Sequence, residues 1–136
     1  MGKGSIYLDT NIVVDMIDGL RGNHELSMAL LKRLMLEGYD VFISEDMLST
    51  IYYISYDKKA TLEFFENIIY VDWQVVSFGK DVIKEATHLS LTKGLDLEDT
   101  LQCLCAKNNG CNLLMTSDKK FVDCGIEIVN YERFLK

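Results

Sequence analysis

The chain has 136 residues, 49% of them apolar, with a formal net charge of −7 and no proline. That length fits a single domain, residues 1–136, with enough apolar side chains for a sizeable core, and no apolar run approaches the ~20 residues of a membrane span. A pI near 4.7 argues against a nucleic-acid binder held by a broad basic face, but allows an enzyme that gathers carboxylates around cations, because bound cations reverse the local sign.

The opening residues reach polar Asp9 too soon for a signal-peptide core, and Ile6 stands where a myristoylation signal needs Ser or Thr. The expected compartment is the cytoplasm, with no membrane contact. Four cysteines agree with it. Cys103 and Cys105, two apart in a helical pattern, point in different directions, while Cys111 and Cys124 have no CxxC partner and no nearby histidine. All four are expected as buried reduced thiols. His24 and His88 lie in helical patterns with no nucleophile beside them and read as structural or surface residues.

In chain order, Ser5-Ile6-Tyr7-Leu8-Asp9 reads as a buried strand presenting Asp9 at its carboxyl end, with Thr10 or Asn11 capping a helix over Ile12 to Ile17. Gly19 and Gly22 end that helix, and Asn23 caps a long one with Leu26, Leu30, Leu34 and Met35 as its apolar stripe, closed by Gly38. Val41-Phe42-Ile43 is a second strand. Ser44 caps a helix from Glu45 to Tyr56 that buries Leu48, Ile51 and Tyr52. Asp57 caps the next, which turns Leu62, Phe65 and Ile69 inward. Gln74 to Ser77 is a third strand, followed by a helix from Lys80 to Thr92 that Gly94 stops. Asp96 caps a helix from Leu97 to Asn109 with Leu97, Leu101, Leu104 and Cys105 inside. Asn112 to Thr116 is a fourth strand and Glu127-Ile128-Val129 a short last one. Strands alternating with helices or helix pairs imply a three-layer α/β/α domain with a mostly parallel sheet of four to five strands.

Parallel strands share one carboxyl edge, so Asp9 and Asp118 belong on the same rim. Asp99, in the first turn of its helix and off the apolar stripe, is aimed at that rim if the helix starts there. Three carboxylates in one cleft repel one another unless a divalent cation joins them, and hard oxygen donors suit Mg²⁺ or Mn²⁺, which activate water and clamp a phosphodiester. Each acid also has an ordinary reading, Asp9 and Asp118 as caps and Asp96 and Asp99 as complements to a helix dipole. Periodicity leaves the two readings open. A phosphatase using Asp9 as nucleophile needs a second aspartate where Asn11 stands. A phosphate-receiver domain needs one at the end of a central strand, where Ser44 and Phe78 are found instead.

Three segments resemble PIN domains, above all the small bacterial ones typified by VapC toxins: Tyr7-Leu8-Asp9-Thr10-Asn11-Ile12, Leu97-Glu98-Asp99-Thr100-Leu101-Gln102, and Leu114-Met115-Thr116-Ser117-Asp118-Lys119-Lys120-Phe121. The resemblance implies a metal-dependent ribonuclease. Asp9, Asp99 and Asp118 are then its metal-centre carboxylates, Thr10 and Asn11 shape the first loop, and Thr116 and Ser117 form the late rim. It also implies an RNA substrate, a cognate antitoxin and a homodimer. One position departs from the family. The glutamate usual in the helix after the second strand is Thr50 here; Asp46, one turn earlier on the same helix face, either reaches the site or merely complements the helix start. The departure suggests an alternative, a catalytically weakened module that binds RNA or a protein partner. Given the net charge, RNA contact must be local, with Lys119 and Lys120 as the first candidates and Lys58 and Lys59 as the second. Tyr52, Tyr53 and Tyr56, with Phe64 and Phe65, are either core or a partner surface.

Overall fold

In the computed structural model, which describes residues 4–136, five strands form one parallel sheet: β1 Ser5–Leu8, β2 Asp40–Ser44, β3 Gln74–Val76, β4 Leu113–Met115 and β5 Glu127–Val129, ordered β3-β2-β1-β4-β5. The part of the leader and acylation reading that rests on residues 1–3 lies outside the described residues. The helices are α1 Thr10–Ile17, α2 His24–Leu36, α3 Asp46–Ile54, α4 Lys58–Phe64, α5 Tyr70–Asp72, α6 Gly79–Lys93, α7 Leu97–Asn108 and α8 Tyr131–Leu135; a π-helical turn, Phe65–Ile69, joins α4 to α5. None is long and apolar enough to cross a membrane.

Successive strand residues face opposite sides of a sheet, and in β1 Ile6, Tyr7 and Leu8 are all fully buried. Helices therefore cover both faces of the central strand, the condition under which parallel sheets are found. From β1 the chain moves outward to β2 and β3, then returns to the other side of β1 for β4 and β5. The direction reverses between β1 and β4, so the loops leaving these two strands part and open a crevice at the carboxyl edge. Asp9 follows β1 and Asp118 follows β4; the topology alone puts both at that crevice.

Several helix starts follow the sequence. Asp57 accepts from the Ala60 amide, Asp96 from the Asp99 amide and Ser44 from the Met47 amide. Others do not. The cap of α1 is Asp9 itself, not Thr10 or Asn11: its Oδ1 accepts from the Thr10 amide at 2.9 Å. Asn23 makes no capping hydrogen bond. The helix α8, capped by Asn130, was not anticipated.

Leu30, Leu34, Phe65, Ile69, Leu104 and Cys105 are buried as expected, but the stripes of three helices depart at single positions. In α2, Leu26 and Met35 are exposed while Ser27 and Leu31 are buried. In α4 Leu62 is exposed and Thr61 buried, and in α7 Leu97 is exposed and Thr100 buried. The cause is common to all three. Ser27 donates to the His24 carbonyl, Thr61 to that of Asp57 and Thr100 to that of Asp96. A hydroxyl satisfied within its own helix is buried without an orphaned polar group, so it takes a core position that an apolar count gives to its neighbour.

Three further expectations are corrected. Cys103 of α7 and Cys124, in the segment before β5, are joined in a disulfide, leaving Cys105 and Cys111 as the buried free thiols. Tyr52, Tyr53 and Tyr56 are exposed, with Tyr53 and Tyr56 at 84%, whereas Phe65 is buried and Phe64 packs edge-on against Trp73. The aromatic group thus divides into surface tyrosines and core phenylalanines. Lys58 is not free for RNA, since its ammonium donates to the carbonyls of Tyr52, Tyr53 and Ser55 at the end of α3. His24 is structural as expected, its Nδ1 2.8 Å from the Asp15 carbonyl.

Candidate metal centre

Asp9 is the best-held residue of the crevice. It is 9% exposed, its Oδ1 accepts from the Thr10 amide, and its Oδ2 accepts from the Thr116 hydroxyl at 2.8 Å. The same Thr116 oxygen accepts from the Asp118 amide at 3.1 Å. One hydroxyl at the end of β4 therefore orients the carboxylate after β1 and fixes the start of the loop carrying Asp118. Thr116 can do so because its own backbone continues the ladder, its amide donating to the Val129 carbonyl at 3.0 Å.

Asp99 enters from α7. That helix is tied to β1 through its buried Gln102, whose Oε1 accepts from the Tyr7 phenol; the Gln102 Nε2 has no hydrogen-bond partner among the described residues. Tyr7 lies two residues before Asp9, on the same side of the strand, so this contact fixes the helix that carries Asp99 against the strand that carries Asp9.

The electrostatics show the acids acting on one another. Burial raises the Asp9 carboxyl, the Thr116 and Thr10 donors lower it, and the Asp118 charge raises it again. The Asp99 carboxyl is pushed up to about 6, first by burial and then by the charges of Asp96, Asp9, Asp118 and Glu98. Glu98 is raised by burial and by Asp9, Asp96 and Asp46. The charges of Asp9 and Asp118 both act on Asp99, and that of Asp118 acts on Asp9. Asp46 acts on Glu98 alone among these groups. Glu98 has no role in the sequence reading beyond standing in a motif; its place in the first turn of α7, beside Asp99, is the signal that could have found it.

The other expected residues divide. Thr10 and Thr116 hold Asp9 as described. Asn11 is exposed, and its side chain accepts from Arg21 at 3.4 Å instead of turning to the carboxylates. Ser117, Lys119 and Lys120 are exposed on the loop after β4, where the Lys120 amide donates to Asp118 Oδ1 at 2.9 Å. Thr50 is half-buried on α3 and supplies no carboxylate.

A second buried carboxylate, Asp15, shows what the centre lacks. Asp15 is 3% exposed and is neutralised by Arg21 at 2.9 Å, with the Tyr131 hydroxyl donating to its other oxygen at 2.7 Å. No ion pair among the described residues involves Asp9, Asp46, Asp96, Glu98, Asp99 or Asp118. Uncompensated carboxylates with all-oxygen donors fit a hard divalent cation. The fit lies in chemistry and charge, since no three His, Cys, Asp or Glu side chains among the described residues converge closely enough to hold an ion.

The family model described as PIN domain matches residues 6–126. The chain belongs to the PIN domain family. This PIN domain is 33% identical to Ribonuclease VapC1 of Aquifex aeolicus, over 98% of this chain and 95% of the relative. Its fold is similar to that of Mycobacterium tuberculosis VapC20, described as a sarcin–ricin loop cleaving toxin: the TM-score is 0.71 at 16% identity, covering 89% of this chain and 95% of that one. The VapBC2 complex of Rickettsia felis, bound to a DNA fragment from its promoter, gives 0.68 at 20% identity, covering 93% and 98%. A toxin–antitoxin complex from Klebsiella pneumoniae gives 0.66 at 17%, covering 93% and 97%. At such identities the solved structures support the fold and no finer statement.

Proposed function

We propose that this PIN domain is an endoribonuclease that hydrolyses RNA phosphodiesters with Mg²⁺ or Mn²⁺ held by Asp9, Asp99 and Asp118. The carrying observation is the group of acids without a counter-charge at the crevice between β1 and β4, in a chain similar over nearly its whole length to a protein named as a ribonuclease. When bound, the cation supplies activated water and stabilises charge on the scissile phosphate. The chain's own residues prepare that chemistry. Thr10 and Thr116 keep Asp9 oriented, Gln102 holds α7, the helix that carries Asp99, against β1, and Thr116 anchors the Asp118 loop. Asp46 and Glu98 add negative charge on the side of α3, where Thr50 leaves a family carboxylate missing.

We assign the chain to the cytoplasm as one domain over residues 1–136, acting as the toxin of a pair with a cognate antitoxin. The exposed Tyr56, in the wall of an apolar groove of about 240 Å³ with Val14, Ile17, Leu20 and Ile51, suits a protein partner or a second copy. Thr50 favours the second reading, a PIN module that binds RNA or a partner and cuts slowly or not at all. Incubating a panel of structured and single-stranded RNAs with Mn²⁺, beside the Asp9→Asn protein, decides between them. The first reading expects cleavage by the native chain and none by the variant; equal cleavage by both contradicts it.

A further inference from the structure

The crevice continues sideways into a groove that the carboxylates do not explain. Beyond Asp118, a cavity of about 300 Å³ is walled by Ser117, Asp118 and Lys119 after β4 and by Ile128, Asn130 and Arg133 from β5 and α8. Of the cavities described among residues 4–136, this one has a candidate metal-centre residue in its wall. It also brings together two cations from different parts of the chain, in a protein whose net charge is −7.

Resting on the ribonuclease reading, we propose that this groove is a nucleotide subsite, holding the RNA residue next to the scissile phosphate. Lys119 and Arg133 contact its phosphate, while Ile128 gives its sugar and base an apolar surface. The acidic crevice repels RNA, so an enzyme of this charge needs local cations beside the carboxylates, and Lys119 directly follows Asp118. Arg133 is available for exchange. Its guanidinium pairs with Glu127 at 2.9 Å, but their side chains are 63% and 53% exposed, and its other bond, to the Ile128 carbonyl, is 3.3 Å long. Exposed pairs of that kind contribute little, whereas a guanidinium binds a phosphate through two parallel hydrogen bonds. The Asn130 Oδ1 accepts from the Arg133 amide at 2.8 Å, and the Asn130 side-chain NH₂ makes no hydrogen bond among the described residues. The volume lies at the lower end of ordinary ligand pockets, a size suited to one nucleotide.

The test uses the native protein in EDTA, where binding is read without cleavage. Backbone amide shifts are followed by NMR as uridine and adenosine monophosphates are added. Affinity for a short fluorescein-labelled single-stranded RNA is followed by anisotropy at several salt concentrations. The subsite predicts shifts at Lys119, Asn130 and Arg133. It also predicts that the Lys119→Gln/Arg133→Gln protein binds the RNA about tenfold more weakly, with a salt slope lower by about 1.4, about 0.7 for each cation withdrawn from the single strand's backbone. Lys80→Gln, altering a cation on another cavity, leaves both quantities unchanged. Nucleotide shifts that avoid the ends of β4 and β5, or a double variant with native affinity and salt slope, overturn the subsite. Failure of the ribonuclease reading looks different: Asp9→Asn would cleave normally while the groove still bound RNA.

Discussion

Thr116 offers the sharpest test of how the centre is held. Thr116→Val keeps the shape of a side chain that is 2% exposed and removes the hydroxyl that donates to Asp9 Oδ2 and accepts from the Asp118 amide. A hydrogen bond to a charged acceptor is worth about 1.5–3 kcal/mol, and one pKa unit corresponds to about 1.4 kcal/mol. The Asp9 carboxyl, already raised by burial and lowered by this hydroxyl, therefore rises further. Since Thr116 also orients the carboxylate, Mn²⁺ affinity falls roughly ten- to hundredfold, the usual effect of losing a residue that supports a ligand. Carbon-detected NMR of the Asp9 carboxyl across a pH series gives the first quantity and calorimetric Mn²⁺ titration the second. Thr116→Ser restores both. A valine protein whose Asp9 titrates and binds Mn²⁺ as in the native chain would show that the Thr116 hydroxyl does not hold the centre.

The metal-free protein should carry a pH signature of its centre. The Asp99 carboxyl binds its proton more tightly folded than unfolded, so its contribution to stability is full at low pH and is lost as pH rises from 3.8 through about 6. Relative to Asp99→Asn, which does not titrate, the native chain loses on the order of 1 kcal/mol across that window after solvent screening; urea midpoints measure it, and a relative gain in stability with rising pH contradicts it. Tyr7→Phe leaves the buried Gln102 with neither amide atom paired and costs about 1–3 kcal/mol by urea denaturation, whereas a change within experimental error would show that the Tyr7–Gln102 contact does not fasten α7. The Cys103–Cys124 bond spans 21 residues, so reducing it removes roughly 3 kcal/mol, and alkylation of the unfolded, unreduced chain finds Cys105 and Cys111 free; four reactive thiols would exclude the bond.

The places of Asp9, Asp99 and Asp118 in the fold were legible because they follow from how a parallel sheet and its helices are built. A polar residue ending an apolar run marks the carboxyl edge, which located Asp9 and Asp118, and the first turn of a capped helix located Asp99. What escaped depends on contacts between distant segments. Nothing in the sequence shows that Thr116 bridges two carboxylate loops, or that Gln102 meets Tyr7, since a threonine at a strand end and a glutamine in a helix are each unremarkable. The Cys103–Cys124 pair has no spacing signature, and each cysteine taken alone reads as a buried thiol. The helix stripes failed at Ser27, Thr61 and Thr100 for a definite reason: an apolar count proceeds residue by residue, and hydroxyls satisfied by their own helix behave as core. The net charge gave no hint of the Lys119 and Arg133 pair, which the fold assembles from two distant segments.

Whether Asp9, Asp99 and Asp118 together hold a divalent cation is read by calorimetric titration of Mn²⁺ into the native chain and into Asp99→Asn, both checked for intact fold. Saturable binding by the native protein that disappears in the variant is the predicted result. Equal binding by the two proteins, or none by the native chain, would contradict it.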